Sequence, residues 1–280
     1  MTLDAAARPT DRWRKPVVMI CVRVVVYGVL LWLALRWLEG RMTFAPTRPW
    51  EVDLDAVTPP VEEIAFAAED GVRLSAVWLP HSTPKGVVVM CHGNAGNISH
   101  RFGIAEEWRN LGYSILLFDY RGYGKSAGRP TEAGLILDAR AAYHEARLRG
   151  GTTPIVAGRS LGTVPAIRLA AELTTRGLLL DSPLASAAEM ARQILPIPGL
   201  PRLLSIRLDN LESIRHVRCP ILILHGVDDE VIPFDQGRQV FDAAPEPKQF
   251  VPLLDTGHND SRESPRVLAA IARFWASLPE

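Results

Sequence analysis

Apolar positions along this chain fall into two regimes. Residues 17–35 are apolar almost without a break, interrupted only by Arg23. From residue 62 onward, short apolar runs alternate with segments in which apolar residues recur every three or four positions. The first regime predicts one helix of roughly 30 Å, about a hydrocarbon thickness at 1.5 Å per residue. The second predicts strands over 62–68, 72–80, 86–91, 113–120, 154–157, 177–181, 221–225 and 249–254. Helices are expected over 101–111, 132–149, 164–175, 234–243 and 265–278. The first two strands are separated by Glu69-Asp70-Gly71, which suits a hairpin turn. The later strands are continuous apolar runs, as strands buried on both faces must be. Such alternation implies an α/β fold, a mostly parallel, doubly wound sheet in one domain.

The flanks of the apolar helix refine its role. Arg23 lies close enough to the polar end for its side chain to snorkel to the headgroups, and Trp32 and Trp37 suit the opposite interface. No small-residue cleavage site follows Leu35, so a retained signal-anchor over 17–38 is expected rather than a cleaved leader. Arg8, Arg12, Arg14 and Lys15 precede it and put a segment 1–16 in the cytoplasm, although Arg36, Arg41 and Arg48 weaken the asymmetry. A proline-rich connector over 39–61 then leads to a main domain over 62–280 on the periplasmic or lumenal side of a single-pass membrane protein.

Composition changes little. Lysine plus arginine equals aspartate plus glutamate at 31 each, which gives no sign of a nucleic-acid partner. Three cysteines make no disulfide framework, and no His/Cys cluster has zinc spacing, so no metal is expected. Gly124-Lys125-Ser126 imitates the end of a phosphate loop, but Asp119 stands where the first glycine is required. Gly122-x-Gly124 follows a strand, yet Pro130 intervenes before the next helix, so no helix N-terminus meets a pyrophosphate. No cofactor is implied, and Asp119 and Arg121 are read as turn braces.

The chemistry-bearing stretch is Gly158-Arg159-Ser160-Leu161-Gly162, set between an apolar strand and a helix. Strand, Gly-x-Ser-x-Gly, helix is the context of a nucleophile elbow, in which Ser160 is lifted clear of the sheet. The serine needs a base. Of seven histidines, His258 alone follows the last strand in a Gly-His-Asn turn where it can overhang the elbow. A carboxylate must orient that imidazole, and Asp228 and Asp229 compete, with Asp181 a distant alternative. The backbone N–H of Leu161 is one donor for a tetrahedral oxyanion. His92 and His225 are expected to be structural.

Five ordered motifs resemble the α/β-hydrolase superfamily from about residue 62 onward: His92-Gly93-Asn94, Asp119 to Ser126, the elbow, His225 to Pro233, and Gly257-His258-Asn259. Gly-Asn-Ala-Gly-Asn, Asp-Ser-Pro-Leu and the anchor look more narrowly like membrane-anchored serine hydrolases with a small cap, a branch that includes protein depalmitoylases and unassigned bacterial members. The resemblance implies an eight-stranded sheet and selects Asp229 as the acid, through Gly-x-x-Asp-x-x-x-Pro, with Asp228 capping the turn. It also implies Asn94 as the second oxyanion donor through its backbone N–H. In this fold the apolar, proline-broken insertion at about 183–220, which includes Leu195 and Leu203, sits over the site as a small helical cap; the alternative is an apolar excursion of the core. The expected activity is hydrolysis of acyl esters or thioesters of a small molecule, lipid or acylated protein, through an acyl-enzyme. A peptidase on the same residues, or an idle scaffold, are the other outcomes.

Overall fold

The computed structural model describes residues 11–194, 196–260 and 265–279; the first ten residues of the expected cytoplasmic segment and Leu195 of the expected cap lie outside them. The chain divides into two compact units, Met1–Thr43 and Phe44–Glu280. The first contains α1, Asp11–Thr43, whose stretch Pro16–Thr43 is long and apolar enough to cross a bilayer. Its apolar side chains are exposed, Val24 and Leu31 among them. Helix continues past residue 38, so the connector expected from 39 begins as helix. Good helix formers and an Arg36–Glu39 pair at 2.7 Å extend it by another turn.

In the second unit eight strands form one sheet: β1 (Glu62–Ala67), β2 (Arg73–Leu79), β3 (Val87–Cys91), β4 (Ser114–Phe118), β5 (Ile155–Arg159), β6 (Leu178–Asp181), β7 (Ile221–Gly226) and β8 (Lys248–Leu253). Their spatial order is β1-β2-β4-β3-β5-β6-β7-β8. The first two pairings, β1 with β2 and β2 with β4, are antiparallel, and all later ones are parallel. Every strand expected from the apolar pattern is present, with ends shifted by a residue or two.

The pleat sorts the central strands into two cores. Val87, Val89, Val156, Leu178, Leu180, Ile221 and Ile223 face α3 (Glu132–Gly150), α4 (Thr163–Glu172), α7 (Asn210–Ile214) and α8 (Phe234–Ala243). Their neighbours Val88, Met90, Ile155, Ala157, Leu179, Leu222 and Leu224 face α2 (Phe102–Asn110) and α9 (Pro265–Ser277). Two faces that are both covered explain the unbroken apolar runs. Truncating one of these leucines or isoleucines, or Met90, to alanine costs about 2–5 kcal/mol.

The insertion after β6 folds as α5 (Ala187–Ile194), α6 (Leu200–Leu203) and α7. Three side chains pin it to the body. The Asn210 amide donates to Thr163 Oγ1 at 3.2 Å, Gln236 accepts from the Ala185 N–H at 2.9 Å, and Glu132 accepts from the Arg207 and Leu208 N–H groups, each at 2.8 Å. Leu184 is buried, whereas Ile194, Ile197 and Leu203 are exposed. Leu208 and Ile214 join Leu184 in the core and Met190 of α5 packs against it, so the insertion combines a root packed inward with an exposed tip around Ile194, Ile197 and Leu203. Cys91 and Cys219 are both buried and free.

Candidate active site

β5 delivers Ser160 at its carboxyl end, and the chain turns through a single helical turn into α4. Ser160 is held at φ +52°, a conformation that costs a non-glycine residue strain and that the surroundings must impose. They impose it by close approach. A Cβ on Gly162 would lie 2.1 Å from the Cys91 carbonyl oxygen, and one on Gly158 would lie 2.6 Å from the Gly162 carbonyl. Only glycine fits at either position. The same packing draws the loop after β3 onto the elbow, where Gly93 lies against Ser160.

His258, mostly buried in the loop after β8, spans the gap between Ser160 and Asp229. Its Nδ1 is 2.8 Å from Asp229 Oδ2 and its Nε2 is 3.2 Å from Ser160 Oγ. A carboxylate can only accept, so Nδ1 carries the hydrogen, which leaves the neutral ring's Nε2 lone pair facing the serine hydroxyl. Asp229 Oδ1 accepts the N–H groups of Val231 at 2.9 Å and Ile232 at 2.7 Å. Burial alone would raise its carboxyl. Hydrogen bonds from His225, His258 and the Ile232 backbone outweigh burial and hold it far below the usual carboxylate range. The His225 contact is the longer one at 3.4 Å, since its Nε2 hydrogen is shared with the Ile232 carbonyl at 2.8 Å. Asp228 is exposed, and the turn it was expected to cap is capped by Asp229 instead. Asp181 faces Arg159 rather than the imidazole.

His92 is fully buried between Tyr120 and Tyr123, with ring centroids at 4.5 and 5.3 Å. Burial pushes its imidazole down to about 3, so it remains neutral and braces the loop. Arg121 is tied to Asp138 and Asp70, each at 2.7 Å, which makes it the turn brace expected of it. The Asn94 side-chain oxygen accepts the Ala45 N–H at 2.8 Å and the Tyr123 hydroxyl at 3.0 Å. Leu161 begins the turn into α4, where the first N–H groups of a helix have no partner within it. Among the described residues, no cluster of His, Cys, Asp and Glu is arranged to hold a metal ion.

Two side chains that no motif singled out hold the histidine loop. Arg159, the residue before the serine, donates from Nη2 to the His258 carbonyl at 2.7 Å, and its Nε lies 3.2 Å from Asp181. Glu230 accepts the His258 N–H at 3.1 Å. The variable position of Gly-x-Ser-x-Gly thus carries a guanidinium that links the loop of one strand to the elbow of another.

An eight-stranded sheet in this order, with a strained serine at the end of its fifth strand facing a histidine backed by a carboxylate, defines an α/β-hydrolase. The comparisons agree. Residues 82–211 match the family described as serine aminopeptidase, S33. An uncharacterised protein of Mycobacterium tuberculosis is 35% identical over 266 residues, covering 92% of this chain and 94% of its own. The lysophosphatidylserine lipase ABHD12 of Danio rerio is 33% identical over 219 residues, which are 67% of this chain and 57% of that one. A Pyrococcus furiosus esterase of solved structure superposes with a TM-score of 0.70 at 20% identity, over 84% of this chain and 97% of its own. The chain belongs to the α/β-hydrolase superfamily.

Proposed function

We propose that the protein is a membrane-anchored serine hydrolase that cleaves carboxylic esters or thioesters through an acyl-enzyme on Ser160. One observation carries this reading: His258 sits within hydrogen-bond distance of Ser160 on one side and Asp229 on the other. His258 Nε2 takes the serine proton as Oγ attacks the acyl carbonyl, while the Asn94 and Leu161 N–H groups receive the oxyanion. Collapse of that intermediate expels the alcohol or thiol, which leaves with the proton from His258, and water then repeats the sequence on the acyl-enzyme. α1 anchors the enzyme with its N-terminus in the cytoplasm and its catalytic unit on the other side. The named relatives favour esters, one being a lipase and another an esterase. The aminopeptidase description of the matched family favours amides, which the same side chains could cleave.

One assay on alkali-washed membranes tests both placement and substrate. Activity should remain with the membranes and should rise with acyl length across p-nitrophenyl esters. Burial of the chain against an apolar cap surface would contribute about 0.8 kcal/mol per methylene, and Ile194, Ile197 and Leu203 are exposed apolar side chains of that insertion. Leu203→Asp should flatten that rise while sparing acetyl esters. Faster cleavage of aminoacyl amides than of any ester would shift the assignment to a peptidase.

Arg159→Met is expected to lower turnover about ten- to a hundredfold with KM little changed, because displacing a catalytic base by about 1 Å costs that much. Arg159→Lys should recover little, since an ammonium lacks the fork that reaches both the His258 carbonyl and Asp181. Unchanged turnover in Arg159→Met would show that the loop stands without it.

A further inference from the structure

The segment that leaves α1 was expected to be a passive, proline-rich connector. Its contacts say otherwise. Phe44 is buried in the same cluster as Tyr123 and Leu161. The Ala45 N–H donates to the Asn94 side chain at 2.8 Å, and the Gly96 N–H donates back to the Ala45 carbonyl at 3.3 Å. Pro46 bridges to Gly96 in the manner of a short parallel strand, and the Thr47 N–H donates to the Gly96 carbonyl at 3.1 Å. The Gly124 N–H donates to the Thr47 carbonyl at 2.9 Å.

Two buried groups complete the attachment. Asn97 is fully buried, and its amide nitrogen donates to Thr47 Oγ1 at 3.0 Å and to the Pro49 carbonyl at 2.6 Å. Asp119 accepts the Trp50 indole N–H on one oxygen at 2.6 Å and the Ile98 backbone N–H on the other at 3.0 Å. Lys125 covers the Trp50 ring at 4.0 Å. Every residue from Asn94 to Ile98 except Ala95 therefore has a hydrogen bond, or a partner in one, that leads to Phe44–Trp50. The loop that carries the Asn94 N–H cannot take up its position independently of this segment. Were the segment absent, the buried Asn97 amide would lose its acceptors on Thr47 Oγ1, the Thr47 carbonyl and the Pro49 carbonyl, and a buried donor without a partner relaxes toward water.

We propose that Phe44–Trp50 is a positioning strap of the catalytic centre, which holds the loop after β3 where the Asn94 N–H meets the oxyanion. This rests on the assignment of Asn94 as an oxyanion donor. Oxyanion donors act by being fixed before charge develops, so a strap that sets their position contributes to turnover more than to substrate binding. It also ties activity to the stretch of chain that directly follows the anchor helix. A soluble form cut near Pro46 would lose Phe44 and the Ala45 N–H, and with them part of the site.

The test uses the full chain. A Gly-Ser insertion between Thr43 and Phe44 leaves the strap whole, whereas the same insertion after Thr47 breaks its register; Thr47→Val removes only the Oγ1 acceptor of the Asn97 amide and leaves the two carbonyls. Turnover of p-nitrophenyl butyrate and affinity for an alkyl trifluoromethyl ketone, which forms a tetrahedral adduct with the serine, are measured on each, with melting temperature. The insertion before Phe44 should leave both values as in the parent. The insertion after Thr47 should lower kcat roughly ten- to a hundredfold, with KM within about twofold, and Thr47→Val by a few fold. Affinity for the ketone should fall in step with kcat. Turnover and ketone affinity indifferent to both strap variants would overturn the proposal. So would loss of kcat that follows melting temperature while ketone affinity per active site is unchanged. Absence of any ketone adduct on Ser160 in the parent would overturn it through the assignment of Ser160 as nucleophile, without which Asn94 has no oxyanion to meet, a result distinguishable from the other two.

Discussion

Ser160→Ala should lower ester turnover by about 10⁵- to 10⁶-fold and abolish labelling by a fluorophosphonate, because no neighbouring side chain can take over the attack. Among the described side chains the serine hydroxyl is bonded to His258 Nε2 alone, at 3.2 Å, so its removal disturbs the chemistry far more than the packing. Alanine meets the φ of +52° with the same Cβ as serine, so the strain of the elbow is unchanged and the melting temperature should stay close to that of the parent. A residual rate of roughly 10³-fold over water would be consistent with oxyanion donors that remain in place. A folded Ser160→Ala protein with near-normal turnover would remove the nucleophile from the mechanism.

Most of the body was legible in the sequence because its signals are periodic. Strands buried on both faces read as unbroken apolar runs, and all eight are where those runs lie. The elbow was legible because three constraints coincide within five residues: a strand end, two glycines at close approaches, and a helix start. His258 was found by its place after the last strand. The choice of Asp229 over Asp228 was not derivable from adjacent, chemically identical side chains. It rests on a family spacing; in the fold Asp229 turns inward and accepts from Val231, Ile232 and His258, while Asp228 is exposed.

What sequence reasoning missed shares one character. Arg159 acts through a carbonyl 99 positions away, and the strap acts through Asn94 and Asn97, about 50 positions downstream. Bonds from side chain to distant backbone have no period and leave no local signature. Arg159 occupies a position that the motif leaves free, and Pro46 and Pro49 disguise the strap as a linker. The one available signal was Asn97, a second asparagine in Gly-Asn-Ala-Gly-Asn that the catalytic reading left without a task.

Asp229→Asn should cost about 10⁴-fold in kcat, whereas Asp228→Asn should cost less than about threefold. The asymmetry follows from the tautomer. The Asp229 carboxylate accepts a hydrogen from Nδ1 and so leaves Nε2 free to receive the serine proton. An asparagine amide can turn its NH₂ toward Nδ1, which favours the tautomer whose Nε2 already bears hydrogen and cannot act as a base. A pH series adds an independent check. The folded-state carboxyl of Asp229 is depressed, so the stability it contributes is fully present above its unfolded value, near 3.8, and is lost as pH falls toward the lower folded value. Urea unfolding should therefore show Asp229→Asn less stable than the parent at pH 6, with the gap narrowing as pH drops below about 4. Asp228 is exposed, and Asp228→Asn should stay close to the parent in stability at pH 6. Equal kinetic losses in the two folded variants, or the reverse order, would place the acid elsewhere and leave the Asp229 carboxylate as a turn cap alone.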